Sequence, residues 1–113
     1  MKLESLKKNY QFRFVYNKGK SIANRFLVMY VVRNNKDSDY LGVSVSKKVG
    51  KSVVRSRVSR LIKENIRLME KDIRKGYDIV VIARVAAKDA DFWEIKKSLN
   101  MLLSKHRLIA EKN

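Results

Sequence analysis

Cysteine is absent from the 113 residues, which excludes disulfides, thiolate metal centres and a cysteine nucleophile. Histidine occurs once, as His106, so neither a histidine-based zinc site nor a two-histidine acid/base pair can be assembled. Proline is missing, and glycine is limited to Gly19, Gly42, Gly50 and Gly76. Nothing reads as a linker, a repeat or a low-complexity tract. The longest apolar run, Phe26 to Val32, is closed by Arg25 and Arg33 and falls far short of the ~20 residues that span a bilayer. No apolar stretch of signal-peptide length opens the chain. A cytoplasmic protein is expected, with no membrane partner and no obligate protein partner. Acids are the last scarcity: 11 Asp and Glu face 27 Lys and Arg, a formal charge of +16.

The length fits one domain, residues 1–113, and a hydrophobic content of 45% supplies a core that a disordered chain would lack. Charge is unevenly placed. No acid occurs from Ser5 to Lys36, and none from Tyr40 to Lys63. Self-repulsion destabilises a compact state, so such concentration points to a polyanionic partner. A generally basic protein with no dedicated partner is the plain alternative.

Periodicity gives an α-β-β-α-β-α order. Asn9 can cap a first helix over about 10–17 that buries Phe12, Val15 and Tyr16, with Gly19 ending it. Residues 25–32 and 40–46 read as strands. From Ser52 to about Lys71 the period turns helical: Val54, Val58, Leu61, Ile62 and Met69 share one face, with Ser56, Arg60, Lys63 and Arg67 opposite. Arg55 and Arg57 fall on the flanks. Tyr77 to Arg84 is a short central strand. Asp91 opens the last helix with Glu94 three residues on, a capping box, and Phe92, Ile95, Leu99, Leu102 and Leu103 form its stripe. His106 reads as an ordinary surface residue, and Trp93 as either core or exposed. The fold class is α+β, helices on a mixed, roughly four-stranded sheet, and physics alone makes the crossover through residues 52–71 right-handed.

Residues 47–63 hold seven cations and no acid. Free N–H groups where the helix begins after Gly50 favour anions. Lys48 and Lys51 near that end, with Arg55 and Arg60 further on, extend the site along a phosphate backbone, for which the planar Arg fork is suited. Gly50-Lys51-Ser52 is not a P-loop, because Ser46 stands where that motif has its first glycine. An amphipathic helix with a solvated basic face is the alternative. Phe12, Tyr16 and Tyr30 belong to elements that pack on the sheet. Aromatic faces beside cations stack unpaired bases, although this spacing is equally that of a core.

These residues resemble the protein subunit of bacterial ribonuclease P over nearly the whole length. The resemblance is carried by Ser46-Lys47-Lys48, Gly50, Arg55-Ser56-Arg57, Ser59-Arg60 and Lys63-Glu64. Upstream it rests on Phe12, Tyr16, Gly19, Ala23-Asn24-Arg25 and Tyr30, and later on Ile82-Ala83-Arg84 and the leucine-rich last helix. Ser56 replaces the family's Asn and Ser59 its Lys. The resemblance implies an α/β sandwich like a ribosomal protein domain, with a left-handed crossover against the general rule. It implies a catalytic RNA as partner, precursor tRNA as substrate, removal of the 5′ leader, and magnesium held mainly by the RNA, with no catalytic residue and no metal site in the polypeptide. Lys47, Lys48, Lys51, Arg55, Arg57, Arg60, Lys63 and Arg67 are then the RNA-binding set, and Phe12, Tyr16 and Tyr30 the leader cleft. Arg57→Ala and Arg60→Ala are both expected to weaken assembly and leave the fold intact.

Three rivals compete. A stand-alone nuclease needs a carboxylate cluster that Asp37, Asp39, Asp72, Asp78, Asp89 and Asp91 do not suggest. A ribosomal or structural RNA-binding protein without a catalytic partner explains charge and fold equally well. A membrane-surface protein would need an apolar stripe that the sheet already claims.

Overall fold

The computed structural model describes residues 3–110. Its elements are β1 (Glu4–Ser5), α1 (Asn9–Lys18), β2 (Lys20–Ala23), β3 (Leu27–Arg33), β4 (Tyr40–Ser44), α2 (Ser52–Met69), β5 (Tyr77–Ala83) and α3 (Phe92–Lys105), with short 3-10 turns at Glu70–Asp72 and Val85–Asp89. They build one five-stranded sheet in the order β1-β4-β5-β3-β2. β4 runs parallel to β5 and to β1, whereas β3 is antiparallel to both β5 and β2.

The expected order lacked β1 and β2. Both are edge strands with mostly exposed residues, so neither shows the alternation that marks a half-buried strand. β3 also begins two residues later than expected. The Asn24 side-chain oxygen accepts from the Phe26 and Leu27 amides at 3.2 and 3.0 Å, and the Asn24 amide bonds the Leu27 carbonyl at 2.9 Å, so residues 24–26 turn the β2–β3 hairpin.

Each face of the sheet has its own core. Leu27, Met29 and Val31 of β3 and Ile79, Val81 and Ala83 of β5 point to one side, beneath Val58, Ile62 and Ile66 of α2 and Ile95, Leu99, Leu102 and Leu103 of α3. On the other side Val80, with Tyr30, Val32 and Ile82, packs against Leu6 and against Phe12 and Val15 of α1. Alternation along β3 and β5 produces this division. Ile79, Val80 and Val81 are fully buried, each contributing about 1.5–3 kcal/mol by leaving water.

Local chemistry fixes the ends. Asn9 is the first helical residue of α1, not its cap; instead the Gln11 side-chain oxygen accepts from the Lys7 and Lys8 amides, both at 2.9 Å. The capping box of α3 is formed, with Glu94 N–H on Asp91 Oδ1 at 2.8 Å and Asp91 N–H on Glu94 Oε1 at 3.0 Å. Gly76 has φ +100, a left-handed backbone that favours glycine. Two polar residues on apolar stripes cross-link elements: Asn65 of α2 donates to the Leu61 carbonyl and to the Phe92 carbonyl of α3 at 3.0 and 3.3 Å, and Ser98 Oγ of α3 donates to Asn24 Oδ1 in the β2–β3 turn at 2.8 Å. His106 departs from the surface position expected of it. Its Nε2–H donates to the Met29 carbonyl at 3.0 Å, tying the end of α3 to β3.

Candidate nucleic-acid interface

α2 lies with Val58, Ile62 and Ile66 in the core, so helical geometry swings Ser56, Arg60, Lys63 and Arg67 outward. Toward β4 they border a groove of about 540 Å³ floored by Val43 and Val45, with Arg55, Ser59 and Glu64 completing its wall. Small Ser56 and Ser59 leave the groove open between the longer side chains. Four of the expected cations therefore meet here: Arg55, Arg60, Lys63 and Arg67. Glu64 is the one acid among them, and its proximity was legible only from helical spacing.

Lys47, Lys48 and Lys51 are exposed on the turn preceding α2. Val49, fully covered beside them, anchors that turn, and its N–H bonds the Ser46 carbonyl at 3.1 Å. Lys51 occupies the N-cap position with an extended backbone and no side-chain cap bond, leaving the first amides of α2 to an outside acceptor. Arg55 Nε donates to the Gly50 carbonyl at 3.1 Å, which aims the rest of its guanidinium along the groove.

Arg57 is turned elsewhere. Its guanidinium donates to the Ala90 carbonyl at 3.1 Å and to the Lys88 carbonyl, clasping the 3-10 turn that leads into α3. It does not line the groove, a placement that charge pattern could not reveal because the acceptors are backbone atoms some thirty residues away.

The aromatic trio gathers on the opposite face of the sheet. Phe12 and Tyr16 stand 6.5 Å apart between ring centroids, and Tyr16 meets Tyr30 edge to face at 5.1 Å. The core and surface readings each hold in part: Phe12 and Tyr30 pack on the smaller core, while Tyr16 stays 37% exposed. Asn9, Phe12, Arg13 and Tyr16, one stripe of α1, line with Val43 and Ser44 a second groove of about 470 Å³. Asn9, Arg13 and Ser44 were not singled out from sequence, although the i, i+3, i+4, i+7 spacing places the first two beside Phe12 and Tyr16. Gly42 allows the close approach beneath: a Cβ there would lie 2.5 Å from the Phe12 ring. Burial pushes the Tyr16 hydroxyl above its usual pKa, against a lowering hydrogen bond with the Ser44 side chain and with a further push from Tyr30. The hydroxyl therefore remains a neutral donor at physiological pH.

Val43 lines both grooves. β1 pairs with β4 only at Tyr40 and Leu41, so beyond Leu41 the edge of β4 has no neighbouring strand among the described residues. The two grooves meet across this open edge, cations on one side and aromatics on the other.

Comparison with known proteins decides what this arrangement belongs to. Residues 1–107 match the family model described as Ribonuclease P. The chain is 50% identical over 111 residues to the ribonuclease P protein component of Caldanaerobacter subterraneus subsp. tengcongensis, covering 98% of this chain and 96% of the relative. The chain belongs to the ribonuclease P protein family. With the component from Clostridium botulinum it shares 53% identity over 106 residues, 93% of this chain and 96% of the other. The solved ribonuclease P protein of Staphylococcus aureus superposes with a TM-score of 0.88 at 40% identity, covering 96% of this chain and 99% of that one. As a family member the chain is the protein subunit of ribonuclease P, the ribonucleoprotein endoribonuclease that processes the 5′ end of tRNA. Its partner is the ribonuclease P RNA. Among the described residues no helix is long and apolar enough to cross a membrane.

Proposed function

We propose that the α2 groove and the turn before it take phosphates of the ribonuclease P RNA, and that the α1 groove receives the unpaired 5′ leader of precursor tRNA. The observation that carries this reading is the meeting of the two grooves at the open edge of β4, with Val43 in both. Arg55, Arg60, Lys63 and Arg67 offer charge along one wall, and Lys47, Lys48 and Lys51 extend it past the start of α2. Phosphate contacts of this kind fix position without reading sequence. Across the edge, Tyr16 and Phe12 offer stacking faces that accept any base, with Arg13 beside them for the backbone.

Arg57 is left out of the phosphate set, because its guanidinium is engaged by the Ala90 and Lys88 carbonyls. Family membership also supports a left-handed β4–α2–β5 crossover, a single RNA-binding domain over 1–113, and a place in the cytoplasm with no membrane and no obligate protein partner. Magnesium is assigned to the RNA. Among the described residues no three His, Cys, Asp or Glu side chains come together. The polypeptide binds, orients and screens, and carries no catalytic residue.

Seven engaged phosphates give a log–log salt slope of about −5 to −6. A titration of RNA affinity against salt reads it, and a slope near zero would refute the electrostatic assignment. Tyr16→Ala should weaken leader-bearing precursor more than mature tRNA; equal losses would return Tyr16 to a packing role.

A further inference from the structure

The only tryptophan of the chain, Trp93, is 67% exposed, and neither groove uses it. It stands at the start of α3, with Lys96, Lys97 and Asn100 following at i+3, i+4 and i+7 on the same helical stripe. Together with Met69 at the end of α2 and Asp72 in the 3-10 turn after it, this stripe lines a third groove of about 720 Å³. The groove lies on the helical layer, whereas the aromatic trio sits on α1 across the sheet. One edge of the indole is fixed by Phe92, whose ring meets it edge to face at 5.1 Å, and the Lys96 ammonium stands 5.3 Å from its centroid.

We infer that this groove is a second nucleic-acid contact, which takes one unpaired nucleotide of an RNA bound by this subunit. The indole provides a rigid stacking face, and a base held on an aromatic is worth a five- to 150-fold change in affinity, about 1–3 kcal/mol. Lys96 and Lys97 carry the charge that a flanking phosphate needs. Asp72 repels phosphate and accepts hydrogen bonds, so it turns a base edge bearing N–H donors inward and leaves the backbone to the lysines. Asn100 offers both a donor and an acceptor to the same edge. A protein surface would have to order two long lysine side chains here, at a cost in rotamer entropy. An RNA strand supplies both the ring and the negative charge, and the subunit's partner is an RNA.

Because Trp93 is unique, its emission reports this groove alone. The full-length protein is titrated with an eight-residue oligoadenylate at low salt, following both tryptophan emission and the anisotropy of a labelled oligonucleotide. Saturable quenching is expected, since a stacked base quenches indole. Joint Lys96→Ala and Lys97→Ala substitution should make the salt slope of the quenching curve shallower by about 1.4. Lys105→Ala, an exposed charge that lines none of the three grooves, should leave that curve in place. All these side chains are exposed, so the variants are expected to fold. Three results would overturn the inference: unchanged emission while anisotropy saturates, quenching that vanishes with Lys105→Ala, or an emission change that follows protein concentration and not oligonucleotide, which would mark a contact between copies of the chain. The salt slope for ribonuclease P RNA is read in parallel, so failure here stays separable from failure of the α2 groove assignment.

Discussion

Arg57 and Arg60 are three residues apart on one helix and were expected to behave alike; the structure sets them apart. The Arg57 guanidinium donates to two carbonyls in the turn before α3. Lys88 is exposed and its carbonyl can rehydrate, whereas Ala90 is buried, so Arg57→Ala strands a covered acceptor. Hydrogen bonds from charged donors contribute about 1.5–3 kcal/mol. Because Arg57 is only partly buried, a loss of about 1–3 kcal/mol is expected for the pair, a fall in Tm of roughly 3–15 °C for a domain of this size. Arg57→Lys should recover little, since an ammonium cannot fork to two carbonyls. Arg60 is exposed at the groove. Arg60→Ala should therefore change stability by less than about 0.5 kcal/mol and make the salt slope for RNA shallower by about 0.7–0.9. Thermal melts and salt-dependent RNA titrations of both variants give four readings. A slope reduced by Arg57→Ala at unchanged Tm would refute the division.

Other outcomes follow from single contacts. Gly42→Ala places a methyl 2.5 Å from the Phe12 ring; the ring can tilt into the open groove, so the stability loss should be near 1 kcal/mol while leader-bearing precursor binds more weakly than wild type, as read by denaturation and by competition with mature tRNA. Burial depresses the His106 pKa below 6.5, with the Met29 carbonyl opposing and Lys20 assisting. A depressed folded pKa gives stability that is complete above the unfolded value and lost as pH falls through the folded one. Urea unfolding should thus weaken as pH drops below about 6.5, and His106→Gln should flatten that stretch of the profile. Asp39 titrates in the opposite sense: burial raises its carboxyl pKa against the Tyr77, Lys75 and Gly76 groups that lower it, so acidification toward pH 4 should relieve the cost of its buried charge.

What could be read from residues alone follows the range of the interactions. The stripes of α2 and α3 and the capping box at Asp91 are local patterns written within a few residues, and each stands where expected; the alternation expected along β4 does not, because the strand ends at Ser44 and Gly42 is buried beneath Phe12. β1 and β2 are defined by pairing with Leu41 and Val31, and their own side chains carry little signal. The same holds for the site. That Arg60, Lys63 and Arg67 share a face follows from 100° per residue, but that Arg57 leaves it depends on where Ala90 comes to rest. Trp93 and His106 differ in the same way: one is left bare and the other is pinned to Met29, and only the packing of α3 distinguishes them.

The open edge of β4 joins these threads. An unpaired strand edge invites another strand, and proteins blunt it with charge. Here Lys47 and Lys48 follow the strand while Arg55 and Arg60 flank the groove at its side, so the cations proposed to take phosphate also discourage a second sheet from docking. If phosphate contact and stacking are the whole of leader recognition, neither reads a base edge, and leaders of one length but permuted sequence should bind within a few-fold of each other. Competition among such precursors measures this. A tenfold preference would require about 1.4 kcal/mol of discrimination, which neither aromatic stacking nor a screened cation can supply without a hydrogen bond to a base. Asn9, Arg13, Tyr16 and Ser44 line the groove with groups able to make one; a preference abolished by Asn9→Ala would show that this subunit chooses among leaders as well as holding them.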